Sequence, residues 1–505
     1  MAEENKDETY DVIVIGSGLS GLFSALLLTR AGKKVCVLEK NQQYGGNLQT
    51  FKRNHILFDT GVHYVGSLSE GQVLYEYFKE VGIMQDLSLE PLDLNGYDRI
   101  CFGDTPDVMY PHAQGYENFV KQLLAYFPDE QKALEQYIYT IRTICDKFPL
   151  YRYNATEVHY DVSTLSIKLS DFLDNLTTNE RLKAVLLGAS FLYAGVAPQT
   201  PLYVHALSVN SYIQSAYRLT KGGSQITDLL IRELQRYGAH LYRQTEVVAF
   251  SYGSEQQITA VHTKQGQTFR ATHIISAIDV KQLLQIAGKQ AFKPSFYKRV
   301  QGLQPTASAF SLHLVLKPNI FPYLPYNIYW FKDNDSVYNT AQYATNDFPL
   351  SYMLSMNPPR DGGAYTDNIT ILTYMAPDEL HRWHESFSTC TQGEGRGEQY
   401  ELFKRQRALD LLDVVAQKFP TIKQSIAYYY TSTPLTYRDY IGSAMGAIYG
   451  YKKNADHIME SVFMPQTHIK NLYLVGQSVA MHGLVGVTIS AVLTYQILMR
   501  SSGFL

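Results

Sequence analysis

The segment from Asp11 to Glu39 constrains this chain more than any other. Asp11-Val12-Ile13-Val14-Ile15 is an apolar run of strand type, Gly16-Ser17-Gly18-Leu19-Ser20-Gly21 follows it, and Leu22 to Ala31 has the pattern of a helix. A second apolar run, Lys34-Val35-Cys36-Val37-Leu38, ends on Glu39. Glycines at positions 16, 18 and 21 permit a tight turn, a close approach of backbone to a diphosphate, and close packing of helix on strand. The helix N-terminus then faces the phosphates, and the Glu39 carboxylate can accept from ribose hydroxyls. The glycine triplet alone would be weak. Strand, turn, helix, strand and acid in this order predict a dinucleotide-binding βαβ unit.

The 505 residues are enough for two domains or more with ample core. A formal net charge of only −3 argues against nucleic acid or a strongly anionic surface as the main partner. The 40 Tyr and 23 Phe supply apolar walls with polar tips, which suit a long, greasy ligand and ordinary cores alike. Cys36, Cys101, Cys145 and Cys390 are far apart, so neither a disulfide framework nor a zinc site is expected and a reducing compartment fits. The acidic opening Met1 to Glu8 lacks the apolar stretch of a secretory signal, and a cytoplasmic location is expected. Val12 to Thr29 and Leu472 to Met499 carry no Lys, Arg, Asp or Glu, yet glycines, Ser, Gln or His interrupt them. Buried strand–turn–helix units explain both better than membrane spans.

Three later segments read as returning pieces of the dinucleotide domain. The first runs from Gly222-Gly223-Ser224 through a helical pattern, Ile226 to Tyr237, to the strand Thr245 to Phe250. The second is a hairpin-like run, Ile258 to His262 and Thr268 to Ala271, ending in the apolar strand His273 to Ala277. The third is Asn471 to Gly476, then Gly483 and Gly486, then a helix from about Val487 to Arg500. The expected division is a discontinuous domain of residues 9–95, 216–284 and 436–505, with 96–215 and 285–435 as a second domain. That second part is rich in Tyr, Phe, Leu and Met, with helical periodicity early and strand-like alternation later, as in Ala307 to Leu316 and Asn368 to Tyr374. Thr389 to Glu398 reads as an exposed loop. The aromatic patch Asn319 to Phe331 is a candidate for peripheral membrane contact.

After Glu39 come Lys40, Gly45-Gly46-Asn47 and Phe58-Asp59-Thr60-Gly61-Val62-His63-Tyr64-Val65-Gly66. With these motifs the chain resembles the flavin-dependent amine oxidase and phytoene desaturase superfamily, and within it the retinol saturase and carotenoid isomerase branch. Ala197 to Pro201 through His205 to Gly222-Gly223, Ser432 to Thr436, Gly446 to Gly450 and Leu472 to Gln477 extend the likeness from end to end. It implies an α/β fold: a discontinuous, Rossmann-like FAD domain of the glutathione-reductase-like kind, with an inserted α+β substrate domain. It also implies FAD as cofactor and a polyene or isoprenoid-like lipid as substrate.

On this resemblance Gly16, Gly18 and Gly21 would hold the pyrophosphate and Glu39 the adenosine ribose, with Ser17, Leu19, Ser20 and Lys40 also at the cofactor. Gly46 and Asn47 occupy the family's Gly-Gly-Arg stretch along the cofactor, where Asn removes a charge. Val247 matches the residue whose backbone meets the adenine. Gly61, Val62, His63 and Ala277 would line the cofactor, and Gly476 and Gln477 would sit by its ribityl chain and pyrophosphate. Gly486, Val487 and Thr488 would bring a helix N-terminus to the flavin pyrimidine, where its dipole stabilises negative charge. A strand ending in Gly476, followed by glycines opening an apolar helix, is by itself a shape that lets N–H groups approach a ligand.

Flavin chemistry needs a place to put or take a proton, and His63, Tyr64, His205 and His482 are the candidates, His63 first and His482 next. His381 and His384 have i, i+3 spacing but no third ligand in view, so a solvated helix face is expected there. No second G-x-G-x-x-G occurs, so any NADH or NADPH donor would bind transiently. Saturation, desaturation and isomerisation of a double bond share these residues, with a lean towards saturation or isomerisation. Two rivals are a flavin amine oxidase and a lipid-escort protein like the GDP dissociation inhibitors of prenylated GTPases. An escort has no need of the full phosphate-loop and ribose set.

Overall fold

The computed structural model describes residues 9–153, 162–196, 198–254, 256–338, 343–344, 347–359, 362–479 and 481–501. Met1 to Glu8 and Ala197 therefore lie outside the described residues.

Two seven-stranded sheets organise the chain. In the first, His240–Tyr242, Val35–Leu38, Thr9–Ile15, Thr268–Ser276 and Leu472–Leu474 lie side by side in parallel. An antiparallel meander of Val247–Tyr252 and Ile258–Thr263 joins through Thr268–Ser276, which serves both the meander and the parallel sheet. Val35–Leu38 is buried throughout, as expected of a parallel strand covered on both faces. The register decides where chemistry can happen. Ile15 pairs with Leu38 and with Ser276, and Ser276 with Leu474, so these strands end level. Gly16, Glu39, Ala277 and Val475 consequently emerge together at the carboxyl edge, the place where open α/β sheets bind ligands.

The helix Leu19–Arg30 and the closing helix Gly483–Ser501 pack together against this sheet. The closing helix is long and apolar enough to cross a membrane. Here its polar groups are tied to the strand before it: Ser490 Oγ accepts from Gly476 N at 2.8 Å, and Thr494 Oγ1 donates to Leu474 O at 2.9 Å. It begins at Gly483, four residues before the Val487 start expected from sequence.

The second sheet runs in the order Ile426–Ser432, Ser308–Leu316, Asn368–Met375, Ser351–Ser355, Asn327–Phe331, Asp98–Phe102, Thr105–His112. Among the described residues its one parallel pair is Asn327–Phe331 with Asp98–Phe102. Side chains alternate across it. Ile328, Trp330, Leu354 and Ile371 pack with Leu411 and Val415 of the long helix Glu398–Lys418, whereas Tyr329, Met353 and Leu372 join the core on the other side. The membrane-contact expectation for 319–331 is thereby corrected for its strand: Asn327–Phe331 is buried throughout, and Trp330 stacks on Tyr352 at 5.3 Å. An aromatic run of period 2 with both faces covered reads in sequence like an exposed greasy patch.

The loop Thr389–Glu398 is largely exposed, as expected, but it is anchored. Arg396 pairs with the fully buried carboxylate of Asp439.

Candidate active site

A cleft of about 560 Å³ opens along the carboxyl edge of the first sheet and ends against the second. Its mouth is built from glycine loops that touch one another through backbone. Gly18 and Gly45 form a parallel bridge, and a Cβ on Gly46 (φ +55°) would stand 3.2 Å from Gly18 Cα. A Cβ on Gly476 (φ +111°) would stand 3.3 Å from Ser20 Oγ. The opening loop, the Gly-Gly turn and the closing segment therefore converge on one site, although more than four hundred residues separate the first from the last.

Glu39 holds this edge together. Its Oε2 accepts from Ser17 N at 3.0 Å and Ser17 Oγ at 2.5 Å, and its Oε1 accepts from Asn41 N at 2.8 Å. A carboxylate has more acceptor capacity than these bonds use, which leaves room for a diol. Lys40 donates to Asp439 O at 3.2 Å, and burial pulls its amine below the ordinary value against the pull of Glu39. Glu39→Gln is expected to weaken FAD retention roughly tenfold, about 1.4 kcal/mol, read by fluorescence titration of the apoprotein.

Most residues expected at the cofactor line this cleft: Gly16 to Ser20, Glu39, Lys40, Gly46, Asn47, Gly61, Val62, His63, Val247, Ala277, Gly476, Gln477 and Val487. Three do not. Gly21 lies beneath the loop, where a Cβ would fall 2.2 Å from Gly16 O. Gly486 faces away, its would-be Cβ 2.4 Å from Met481 O, and Thr488 is fully buried. Because the helix starts at Gly483, the residues presented to the cleft are Gly483, Leu484 and Val487.

The acid–base candidates separate in the same way. His63 and Tyr64 line the cleft. His63 Nε2 is buried with no hydrogen-bond partner among the described residues. Burial and then the Arg218 charge bring His63 down to about 4, so it is neutral near pH 7. His205 stands apart from the cleft, its ring held between Tyr137 Oη at 2.7 Å and Tyr193 Oη at 2.8 Å, and burial holds it down at about 3. With both nitrogens engaged, it ties the helix Leu202–Gln214 to Tyr137 and Tyr193 and does not line the cleft. His482 sits behind Tyr449, ring centroids 5.0 Å apart, in a small separate cavity with Lys453. Periodicity could not distinguish these histidines, since each lies in an apolar stretch.

The inner wall was not assigned from sequence. Phe191, Tyr212, Tyr329, Met353, Leu372, Tyr437 and Tyr449 form it, gathered from one face of three central strands of the second sheet, from two helices and from two connecting segments. The charged side chains among the described lining residues are Glu39, Lys40, Glu246 and Asp279, all on connections of the first sheet. The high tyrosine content was the one available signal.

A flavin dinucleotide fits these residues. Nothing lies within 4 Å of a Cβ placed on Gly18, so its backbone faces open cleft, and the orphaned His63 nitrogen awaits a polar partner. Phosphates would be held by the 16–20 loop at the start of a helix, ribose by Glu39, and the ring by the Gly483 end.

A carboxyl-edge dinucleotide cleft closed by an apolar second sheet defines a flavoprotein oxidoreductase. The chain belongs to the flavin containing amine oxidoreductase family, whose family model matches residues 19–389. It is similar to the all-trans-retinol 13,14-reductases of Danio rerio, at 26% identity over 95% of this chain and 84% of that protein, and of Homo sapiens, at 27% over 96% and 85%. Its fold is that of the cyclohexylamine oxidase from Brevibacterium oxydans, with TM-score 0.60, 16% identity, and coverage of 97% of this chain and 100% of that one.

Proposed function

We propose that this protein is an FAD-dependent oxidoreductase that acts on a carbon–carbon double bond of a polyene or isoprenoid-like lipid, most simply by saturating it. The observation that carries the reading is the inner wall, formed by aromatic and aliphatic side chains none of which is itself an acid or a base of the Asp, Glu, Lys or Arg kind. Such a wall suits a substrate with no charge to neutralise. The two relatives named for reduction of retinol support the same substrate class.

When bound, the flavin supplies two electrons as a hydride or takes them back. This chain's residues supply the rest. The glycine loops and Glu39 would fix the dinucleotide, the Gly483 helix end would offer N–H groups to a ring edge that gains negative charge, and the apolar wall would keep water from the reacting carbons. NADPH or NADH, binding transiently, is proposed as the source of electrons, since the sequence has one glycine-rich dinucleotide loop.

Family membership and the fold of an amine oxidase favour one second reading, oxidation of a neutral amine within the tyrosine cage. Anaerobic spectroscopy of the FAD-loaded protein separates the two. The expected result is that all-trans-retinol or a carotenoid reoxidises the dithionite-reduced flavin and loses polyene absorbance, while cyclohexylamine and putrescine leave the oxidised flavin yellow. Bleaching by amines with polyenes inert would replace the first reading with the second.

A further inference from the structure

Behind the wall lies a chain of hydroxyls ending on a buried carboxyl. Tyr64 Oη is 2.8 Å from Asp98 Oδ2 and 2.7 Å from Tyr329 Oη. Asn327 Nδ2 donates to Asp98 Oδ1 at 2.8 Å, which fixes the carboxyl at the start of its strand. Asp98 is 1% exposed and does not line the cleft, whereas Tyr64 and Tyr329 do. The chain thus has one end in the protein interior and the other at the substrate wall.

Proton order along it can run two ways. With Asp98 ionised, Tyr64 donates to the carboxylate and Tyr329 donates to Tyr64, so no hydroxyl proton is directed at the cleft. With Asp98 protonated, the carboxyl donates to Tyr64, Tyr64 donates to Tyr329, and the Tyr329 proton is released towards the cleft. Building on the double-bond reading above, we propose that Asp98, Tyr64 and Tyr329 form a proton relay, in which Tyr329 protonates substrate carbon and Asp98 is the interior store.

The step balances. Bound reduced flavin would supply the hydride of the first new C–H bond, and the π pair of the double bond would form the second with the Tyr329 proton. Tyr329 oxygen then takes the Tyr64 proton and Tyr64 takes the Asp98 proton; after product leaves, water in the cleft returns a proton to the carboxylate through the same hydroxyls before the next turnover. His63, brought down to about 4 by burial and then by Arg218, is neutral near pH 7, so the relay draws its proton from Asp98 instead.

The groups facing Asp98 are consistent with a proton resting there. Burial raises its carboxyl to about 7, outweighing Asn327, Tyr64 and the charge of Arg218. Tyr97, Tyr212 and both relay tyrosines are pushed up by burial first and by Asp98 second, so the carboxyl is the member that changes charge near neutrality. Arg218 is turned to Leu324 O and Tyr326 O. As a positioning residue, Asp98 acts through the tyrosines.

Infrared difference titration of the FAD-loaded protein reads the relay without turnover. Wild type is expected to show a carboxylic-acid stretch that titrates near neutrality together with tyrosine C–O bands. Asp98→Asn should abolish the tyrosine response and leave only the carboxyl band of Asp59, the other buried carboxyl held near 7, whereas Asp59→Asn should keep the Asp98 carboxyl band and its tyrosine response. Tyr329→Phe should keep the carboxyl band and lose one tyrosine response. With all-trans-retinol as probe, Tyr329→Phe should slow saturation by about 100-fold or more with little change in Kd, and Asp98→Asn should flatten the fall in rate above neutral pH. In Asp59→Asn, a carboxyl titration that moves no tyrosine band overturns the relay, as does Tyr329→Phe saturating retinol at the wild-type rate. Should Asp98→Asn not fold, Tyr329→Phe decides alone. Should wild type ignore every polyene, the substrate reading falls and the infrared result still judges the relay.

Discussion

Gly21→Ala is expected to cripple both folding and FAD binding, whereas Gly18→Ala, three residues earlier in the same motif, should spare folding and lose the cofactor. At position 21 a Cβ would fall 2.2 Å from Gly16 O and 3.1 Å from Ala277 Cβ. Neither is the free end of a flexible side chain. Relief requires the helix Leu19–Arg30 to lift from the strand tip, at an overpacking cost of about 3 kcal/mol, and the lift displaces the loop that lines the cleft. At position 18 the backbone is extended (φ −62°, ψ 169°) and a Cβ would meet nothing within 4 Å. Alanine there should change apoprotein stability by less than about 0.5 kcal/mol. The same methyl would occupy the approach of a phosphate, and a loss of FAD affinity of about 100-fold, 2.7 kcal/mol, is expected. Denaturant midpoints of both apoproteins and FAD titrations check the pair. Equal stability of the two variants would contradict the packing argument.

The second large effect is acid instability between pH 6.5 and 4. In the folded state burial holds His63 and His112 at about 4 and His205, His313 and His482 at about 3. Unfolded histidine titrates near 6.5. As pH falls through this window the unfolded chain binds protons that the native one refuses, so these five groups lose stability on acidification. Asp59 and Asp98 run the other way. Their folded values are about 7 against an unfolded value near 3.8, so the native state holds the extra proton and gains stability as pH falls from 7 to 3.8. Each group contributes up to about 1.4 kcal/mol per pH unit within its range. Five histidines outweigh two carboxyls, and the denaturant midpoint should fall steadily from pH 6.5 to 4. A flat or rising midpoint would mean that the histidines are solvated.

Much of the dinucleotide end was legible in the sequence because its requirements are local. Gly16 needs its positive φ of +97° at a strand end, and Glu39 closes the next strand over a short crossover. Gly45 and Gly46 were legible as a motif, but their reason, contact with Gly18, appears only in three dimensions. The helix that carries Val487 was placed late because Gly483 (φ +74°) reads as a break in sequence and is in fact the first residue of the helix.

The chain's own order of residues determined that a dinucleotide edge would form, since strand, glycine turn, helix and acid are neighbours and their physics needs no distant partner. Only the tertiary structure decided which titratable groups serve that edge. His205 is quenched by Tyr137 and Tyr193, Trp330 is sealed against Tyr352, and Asp98 reaches the cleft through Tyr64 and Tyr329. Burial and hydrogen-bond partnership are properties of surfaces brought together from 34 or 265 residues away, and no local pattern encodes them.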